Sequence, residues 1–284
     1  PFGMLIEHFI ECESNDVGEI DLSTFYKEAR YKFDNIDDFA IRSRKRVVKL
    51  QSKDPETINL WQSLIDYSLI HFNLVYIMLD VLLNDDNLAG ESIYEDLLPE
   101  VVRRLESKNL IVESEGALVV FPDGWFNREN EPLPLIIRKG DGGFNYATTD
   151  LACIINRVES IECDEMLYVV GAEQSQHFSM VFQVANDAGF MDDKIKAVHV
   201  PFGLVMGSDG KKLASREGKA ITLKELLEES VTRAENLIIE KNPSMSASVR
   251  NEVSKMIGIG AIKYADLSID RNKNYIFDWD KMLS

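Results

Sequence analysis

Four cations stand close together in the stretch FGLVMGSDGKKLASREGKA, which begins at Phe202. The stretch starts as an apolar strand and turns at its glycines before the basic residues Lys211, Lys212, Arg216 and Lys219. Cations on a loop after a strand can clamp a polyphosphate and stabilise the charge that develops on a departing pyrophosphate. A solvated hairpin tip is the alternative interpretation, and the local pattern leaves both open.

A phenol and a carboxylate are placed four residues apart in GDGGFNYATTD. If a helix begins near Tyr146, then Tyr146 and Asp150 point the same way, and the pair suits a guanidinium or an ammonium group. Thr148 or Thr149 is the expected helix cap. The alternative is that Asp150 only balances the helix dipole. The P-loop pattern GxxxxGK[ST] does not occur in the chain, so these glycines indicate a turn.

A third polar cluster follows the apolar strand in YVVGAEQSQHF. Gly171 allows a tight turn, and Gln174 and His177, three residues apart, share one face of the helix that opens there. In open parallel sheets, ligands bind beyond the carboxyl ends of the strands, which is where this cluster lies. The alternative is a capped helix start with solvated polar residues.

A basic helix face is predicted in AIRSRKRVVKL. Its cations follow the i, i+3, i+4, i+7 spacing of one helix face and are Arg42, Lys45, Arg46 and Lys49. Such a face can bind nucleic acid, or it can simply face water.

The elements that position these residues indicate an α/β protein. A helix is predicted to begin with Asp54 as N-cap and Pro55 as its first residue, and DLLPEVVRRLESKNL is predicted to bury Val101, Val102 and Leu105. From Ile111 to Lys139 the pattern is β. Apolar strands such as EMLYVV and AVHVPFGLVMG then alternate with helices, which predicts parallel pairing with both faces of the sheet covered. The last section, 223–283, is predicted to be helical.

The composition limits the classes of function that the chain can have. The net charge of −17, from 31 basic and 48 acidic residues, argues against indiscriminate nucleic-acid binding, because affinity for phosphates comes from basic surface. Three separate cysteines, Cys12, Cys153 and Cys163, suggest neither a disulfide framework nor a structural metal site. The N-terminus lacks a signal-peptide pattern, and 69–83 is too short for a membrane span and is predicted to be a buried helix. A cytoplasmic protein is expected.

Taken together, these stretches resemble the catalytic region of arginyl-tRNA synthetases. The quoted segments, with IGAIKYADLSIDRNKNYIFDWDKML near the end, follow that family's order and spacing over essentially the whole chain. The resemblance implies a class I aminoacyl-tRNA synthetase, whose Rossmann-like domain joins ATP to an amino acid and passes the aminoacyl group to tRNA. It further implies that activation requires tRNA.

The resemblance also implies roles for individual residues. The arginine side-chain pocket would be lined by Tyr146, Asp150 and Gln174. The ATP side would hold Gly171, His177, Val205 and Met206. The counterpart of the KMSKS loop would supply the catalytic residues Lys211, Lys212, Ser215 and Arg216. As part of a helical insertion, the basic face of Arg42, Lys45, Arg46 and Lys49 could meet the tRNA acceptor end.

Two departures from the family pattern shape the expectation for this chain. Ala214 stands where family members often have a lysine, and the ATP signature HxGH does not occur. The expected piece is internal to a longer enzyme and inactive or nearly so by itself. Its predicted segments are the end of the first half of the nucleotide-binding fold (1–20), a mainly helical insertion with a terminal β-hairpin (21–131), the second half of the Rossmann-like domain (132–222) and a helical connection to an anticodon-binding domain (223–284).

The expected ligands are L-arginine, ATP accompanied by Mg²⁺, and tRNA(Arg), with no membrane contact, no structural metal and a monomeric full-length enzyme. The alternative is a non-catalytic synthetase-like paralogue that binds a nucleotide, tRNA or a protein partner.

Overall fold

A computed structural model of the chain describes residues 2–12, 22–207, 210 and 221–279. The chain divides into two compact units, Pro1–Asp86 and Asn87–Ser284. The boundary between the units falls inside the predicted insertion 21–131. The predicted four-segment division stays a prediction.

The first unit is helical. Its helices are α1 (Phe2–Glu11), α2 (Leu22–Asn35), α3 (Asp37–Gln51) and α4 (Pro55–Met78). Ile6 and Phe9 of α1 pack with Phe25 and Leu64 in a small buried cluster. Helices α1 and α3 cross closely at Gly3, because a Cβ atom there would lie 2.2 Å from the Ser43 carbonyl oxygen.

Helix α4 begins as predicted, but its apolar character does not make it buried. Asp54 is its N-cap and accepts the Thr57 amide hydrogen at 3.0 Å, with Pro55 in the first turn. The predicted burial of 69–83 is wrong, since Ile70, Phe72 and Ile77 are exposed, the last by 75%. Only the face that carries side chains such as Leu64 is packed. No helix among the described residues is long and apolar enough to cross a membrane.

A 3₁₀ turn, Asp85–Asn87, spans the boundary. The second unit continues with a second 3₁₀ turn, Glu91–Leu97, and with α5 (Leu98–Ser107). Helix α5 buries Val101, Val102 and Leu105, which confirms its predicted inward face. The predicted β region forms an antiparallel three-stranded sheet in the order β1 (Val112–Ser114), β2 (Ala117–Val120) and β3 (Leu135–Arg138). This sheet and α5 share the large apolar core of the unit.

The predicted strand–helix alternation follows the first sheet. Its elements are α6 (Tyr146–Glu159), β4 (Glu165–Gly171), a 3₁₀ turn (Ala172–Gln174), α7 (Ser175–Asp187) and β5 (Lys196–Phe202). Strands β4 and β5 pair in parallel, with Tyr168 opposite His199, so the predicted α/β class with parallel pairing is confirmed. Helix α7 closes at Gly189 as predicted, and that glycine has a φ of +72°.

The prediction that both sheet faces are covered is wrong for the part of the chain that the structure describes. Met166 and Tyr168 of β4 are buried, whereas Leu167 and Val169 are 60% and 65% exposed. Because side chains alternate along a strand, one face of β4 packs on the core and the other is open.

The C-terminal part of the chain differs from the sequence prediction at two places. The stretch predicted as one strand, AVHVPFGLVMG, is broken after β5 and resumes as β6 (Val205–Met206). Two helices, α8 (Leu223–Lys241) and α9 (Ala247–Leu267), precede β7 (Tyr275–Ile276), which pairs in parallel with β6. The prediction that 223–283 is entirely helical is therefore wrong at β7.

Candidate active site

The first part of the site is the start of α6. A tight turn after β3 has Gly142 at a φ of +89°, and Asp141 accepts the Gly143 amide hydrogen at 2.9 Å. Asn145 then caps the helix, its side-chain oxygen accepting the Tyr146 amide hydrogen at 3.0 Å. The helix begins at Tyr146, so Tyr146 and Asp150 lie one turn apart on the same face, as predicted.

The predicted caps of α6, Thr148 and Thr149, are wrong. Thr148 is fully buried, and its hydroxyl donates to the carbonyl oxygen of Ile137 on β3. Thr149 lies in the first turn, beyond the cap position that Asn145 takes. The threonine hydroxyl therefore ties the helix start to the strand before it.

The second part of the site is the start of α7. Strand β4 ends at Gly171, and the following turn places Gln174 just before the helix, with its side chain exposed. His177 is the third residue of α7. The start of α7 follows β4 of the parallel pair, the position where ligands of parallel sheets bind, whereas the start of α6 follows β3 of the antiparallel sheet.

The structure brings Asp150 and His177 into direct contact. His177 Nε2 lies 2.6 Å from Asp150 Oδ2, and the two side chains are 27% and 28% exposed. The contact joins the second turn of α6 to the first turn of α7. Tyr146, which is largely exposed, precedes Asp150 by one turn on the same helix. The assigned roles of these residues stay predictions.

A buried aromatic layer lies beside this pair. The Phe178 ring packs edge-on to His177 at 5.3 Å and is 5.1 Å from the Tyr168 ring. Burial raises the pKa of the Tyr168 phenol, and the nearby Asp150 carboxylate acts in the same direction. The Arg157 guanidinium lies 4.8 Å from the centre of the Tyr168 ring.

The cysteine in this layer is a structural group. Cys153 donates to the Tyr94 hydroxyl at 3.3 Å, and burial raises the pKa of its thiol. Burial also raises the pKa of Tyr94, to about 12. Both side chains therefore stay protonated at neutral pH, which disfavours a nucleophilic role for Cys153.

The third part of the site is the β6–β7 ladder. Val205 and Met206, predicted to lie on the ATP side, form β6 opposite Tyr275 and Ile276 of β7. Tyr275 donates its amide hydrogen to the Leu204 carbonyl oxygen at 3.1 Å. The predicted catalytic residues Lys211, Lys212, Ser215 and Arg216 begin five positions beyond Met206 and lie outside the described residues.

Two hydrogen bonds and a close backbone approach fix the position of the stretch that leads into β6. The Gly203 amide donates to the Arg271 carbonyl oxygen at 2.7 Å, and the Leu204 amide donates to the Asn274 side-chain oxygen at 2.7 Å. A Cβ atom on Gly203 would lie 2.4 Å from the Lys273 carbonyl oxygen. Sequence reasoning missed Gly203 and Asn274 because the residues that each of them contacts lie about 70 positions away in the chain.

The predicted basic face of α3 divides into two pairs. Arg46 is 12% exposed, binds the buried Glu7 carboxylate at 2.7 Å and donates to the Thr57 hydroxyl at 3.0 Å. Arg42 also binds Glu7, at 3.2 Å. It forms further ion pairs with Glu11 and Asp38.

The other two cations of this face, Lys45 and Lys49, are exposed. The arginines are engaged within the first unit, so any contact between this face and tRNA depends on the lysines.

Comparisons with known proteins agree with one another. A family model described as tRNA synthetases class I (R), catalytic domain, matches residues 1–279. The chain is 49% identical over 288 residues to an arginine–tRNA ligase from Thermobifida fusca and 44% identical over 286 residues to one from Chromobacterium violaceum. It is covered completely in both alignments, and it spans about half the length of the curated relatives it matches.

Solved structures give the same result. An arginyl-tRNA synthetase from Plasmodium falciparum matches with a TM-score of 0.79 at 27% identity, covering 99% of this chain and 45% of the other. An arginyl-tRNA synthetase from Thermus thermophilus matches with a TM-score of 0.69 at 15% identity, covering 99% and 52%. The second similarity concerns the fold alone.

Proposed function

The chain belongs to the family of class I tRNA synthetase (R) catalytic domains. We propose that it is part of an arginine–tRNA ligase. The ligase activates L-arginine with ATP and transfers it to tRNA(Arg). This chain contributes the pocket for the arginine side chain and the cationic loop that acts on ATP. Cytoplasmic location and a monomeric full-length enzyme remain expectations.

The observation that carries the proposal is the position of Asp150. Its carboxylate stands at the start of the second turn of α6, partly exposed, with the Tyr146 side chain one turn before it. A partly desolvated carboxylate binds a guanidinium through charge-assisted hydrogen bonds, which are stronger than neutral ones. A phenol beside the carboxylate adds an aromatic surface and a polar oxygen for the same ligand.

The chemistry assigns separate tasks to the pocket at the helix starts and to the cationic loop. An oxygen of the arginine carboxylate attacks the α-phosphorus of ATP, the bond to the pyrophosphate breaks, and arginyl-adenylate forms. A hydroxyl of the terminal tRNA nucleotide then attacks the acyl carbon and releases AMP. The pocket at the helix starts would hold arginine in place, and Lys211, Lys212 and Arg216 would stabilise the departing pyrophosphate. Mg²⁺ would accompany ATP as part of the substrate.

The proposal is tested by arginine-dependent exchange of pyrophosphate into ATP in the presence of tRNA(Arg). The full-length protein whose reading frame contains this chain is expected to catalyse the exchange. A polypeptide limited to these 284 residues is expected to give none, because it lacks the HxGH signature. Exchange by neither protein would favour the non-catalytic paralogue. Robust exchange by the short polypeptide would disprove its predicted inactivity.

The exposed lysines of α3 give a second test, which concerns tRNA. Replacing both Lys45 and Lys49 by glutamate is expected to weaken tRNA(Arg) binding on the order of tenfold, because two cations near phosphates are replaced by anions. The slope of log affinity against log salt should flatten by about one for each lost contact. Filter binding of the full-length protein at several salt concentrations measures both quantities.

A matched double reversal at the exposed Lys27 and Lys194 keeps the same change in net charge and serves as the control. Arg46 is unsuitable for this test, because its substitution leaves the buried Glu7 carboxylate with one fewer partner and destabilises the first unit. Equal binding by the lysine variant and the control would show that the face only meets water.

A further inference from the structure

We propose that His177 is a positioning residue of the arginine pocket, which fixes one oxygen of the Asp150 carboxylate and leaves the other for the guanidinium. The inference rests on the proposed function and deepens it. It differs from the role on the ATP side that the family resemblance implies for His177. The observation behind it is the 2.6 Å contact between His177 Nε2 and Asp150 Oδ2.

The chemistry of the two groups determines the direction of the hydrogen bond. An ionised carboxylate has no proton to donate, so the hydrogen between the two atoms belongs to Nε2 of the imidazole. A bond of this length to an ionised acceptor belongs to the strong class. Asp150 Oδ2 therefore accepts the hydrogen bond from His177, and Oδ1 is the oxygen left for the guanidinium.

The imidazole is itself held in place. His177 lies in the first turn of α7 and packs against the edge of Phe178, a buried ring that also contacts Tyr168 and His199. The His199 ring in turn lies 3.0 Å from the Val170 carbonyl oxygen near the end of β4. An imidazole supported by a packed aromatic layer can restrain the Asp150 carboxylate.

This arrangement has a consequence for the substrate. A carboxylate restrained by one partner presents a single oriented oxygen, so the guanidinium binds without first ordering the Asp150 side chain. Removing the imidazole would leave both oxygens mobile and better hydrated. Arginine affinity should then fall, while the ATP contacts, which lie elsewhere in this proposal, should not change.

The experiment compares three variants of the full-length protein by steady-state aminoacylation. His177→Leu is expected to raise the KM for arginine about tenfold and to leave the KM for ATP within about twofold. His177→Gln can donate to the same carboxylate oxygen through its amide nitrogen and should recover most of the loss. Ser179→Ala, an exposed position of the same helix, is the matched control and should behave like the unchanged protein.

A double-mutant cycle separates positioning from a general structural effect. In an Asp150→Asn background, His177→Leu should raise the KM for arginine by less than about twofold further, because the charged acceptor is already absent. Thermal melting of each variant shows whether it is folded. The glutamine variant is also compared directly with the unchanged protein, so its result stands even if the leucine variant does not fold.

The outcomes separate this inference from the proposed function. A rise in the KM for ATP with an unchanged KM for arginine would place His177 on the ATP side and overturn the positioning role, while the arginine pocket would stand. Independent effects of the two substitutions would also overturn it. If Asp150→Asn leaves the KM for arginine unchanged, the pocket itself is misassigned and the positioning role fails with it.

Discussion

Asp150→Ala in the full-length protein is expected to raise the KM for arginine on the order of 100-fold, and to leave the KM for ATP within about twofold. Hydrogen bonds to a charged group are worth about 1.5–3 kcal/mol, and Asp150 is the carboxylate of the proposed pocket. The substitution also removes the acceptor of the His177 hydrogen bond. Steady-state aminoacylation with each substrate varied in turn measures the two constants.

The control for this experiment is Asp187→Ala, which removes an exposed carboxylate from the far end of α7. It should change neither constant, since Asp187 lies at the opposite end of the helix from His177. Equal increases in the KM for arginine and for ATP in the Asp150 variant would remove Asp150 from the arginine pocket. Thermal melting of both variants checks that the comparison concerns folded proteins.

The sequence could predict the local part of the candidate site. The spacing of Tyr146 and Asp150 needs only the knowledge of where α6 begins, and the helix does begin at Tyr146. The identity of the cap was less predictable, because both Asn145 and the threonines are good capping residues. The choice was made by a tertiary contact, the hydrogen bond from Thr148 to Ile137 on β3.

The contact between Asp150 and His177 could not be predicted in the same way. It depends on how α6 and α7 are placed across the unit, and the two residues are 27 positions apart. A pattern read along one helix contains no information about that placement. The basic face of α3 shows the same limit, since helical spacing predicted a shared face but not the partners of Arg42 and Arg46 on α1.

The fold was predictable where the signals are local. Asp54 before Pro55 marked the start of α4, and Gly189 marked the end of α7. Strand β7 gave no comparable signal, because it has two residues and its partner β6 lies about 70 positions earlier. The exposed face of β4 was mispredicted for a related reason, since apolar residues such as Leu167 show a tendency to be buried but not whether another element covers them.

Gly203→Ala is expected to raise the KM for ATP on the order of 10- to 100-fold, with a small effect on the KM for arginine. The added methyl group would lie 2.4 Å from the Lys273 carbonyl oxygen and 2.7 Å from the Asn274 amide nitrogen, both backbone atoms that no side-chain rotation can move away. The stretch leading into β6 must therefore shift, and Val205 and Met206 shift with it. Aminoacylation kinetics of the full-length protein measure the effect.

The split between the two constants follows from where the elements lie in the chain. Asp150 and His177 stand at the starts of α6 and α7, and their hydrogen bond involves neither β6 nor β7. Gly260→Ala in α9 is the matched control, because a Cβ atom there meets nothing within 4 Å and alanine favours the helix. An unchanged KM for ATP in a folded Gly203 variant would show that the β6–β7 ladder does not position the nucleotide. A parallel rise in the KM for arginine would show that the ladder supports the whole site.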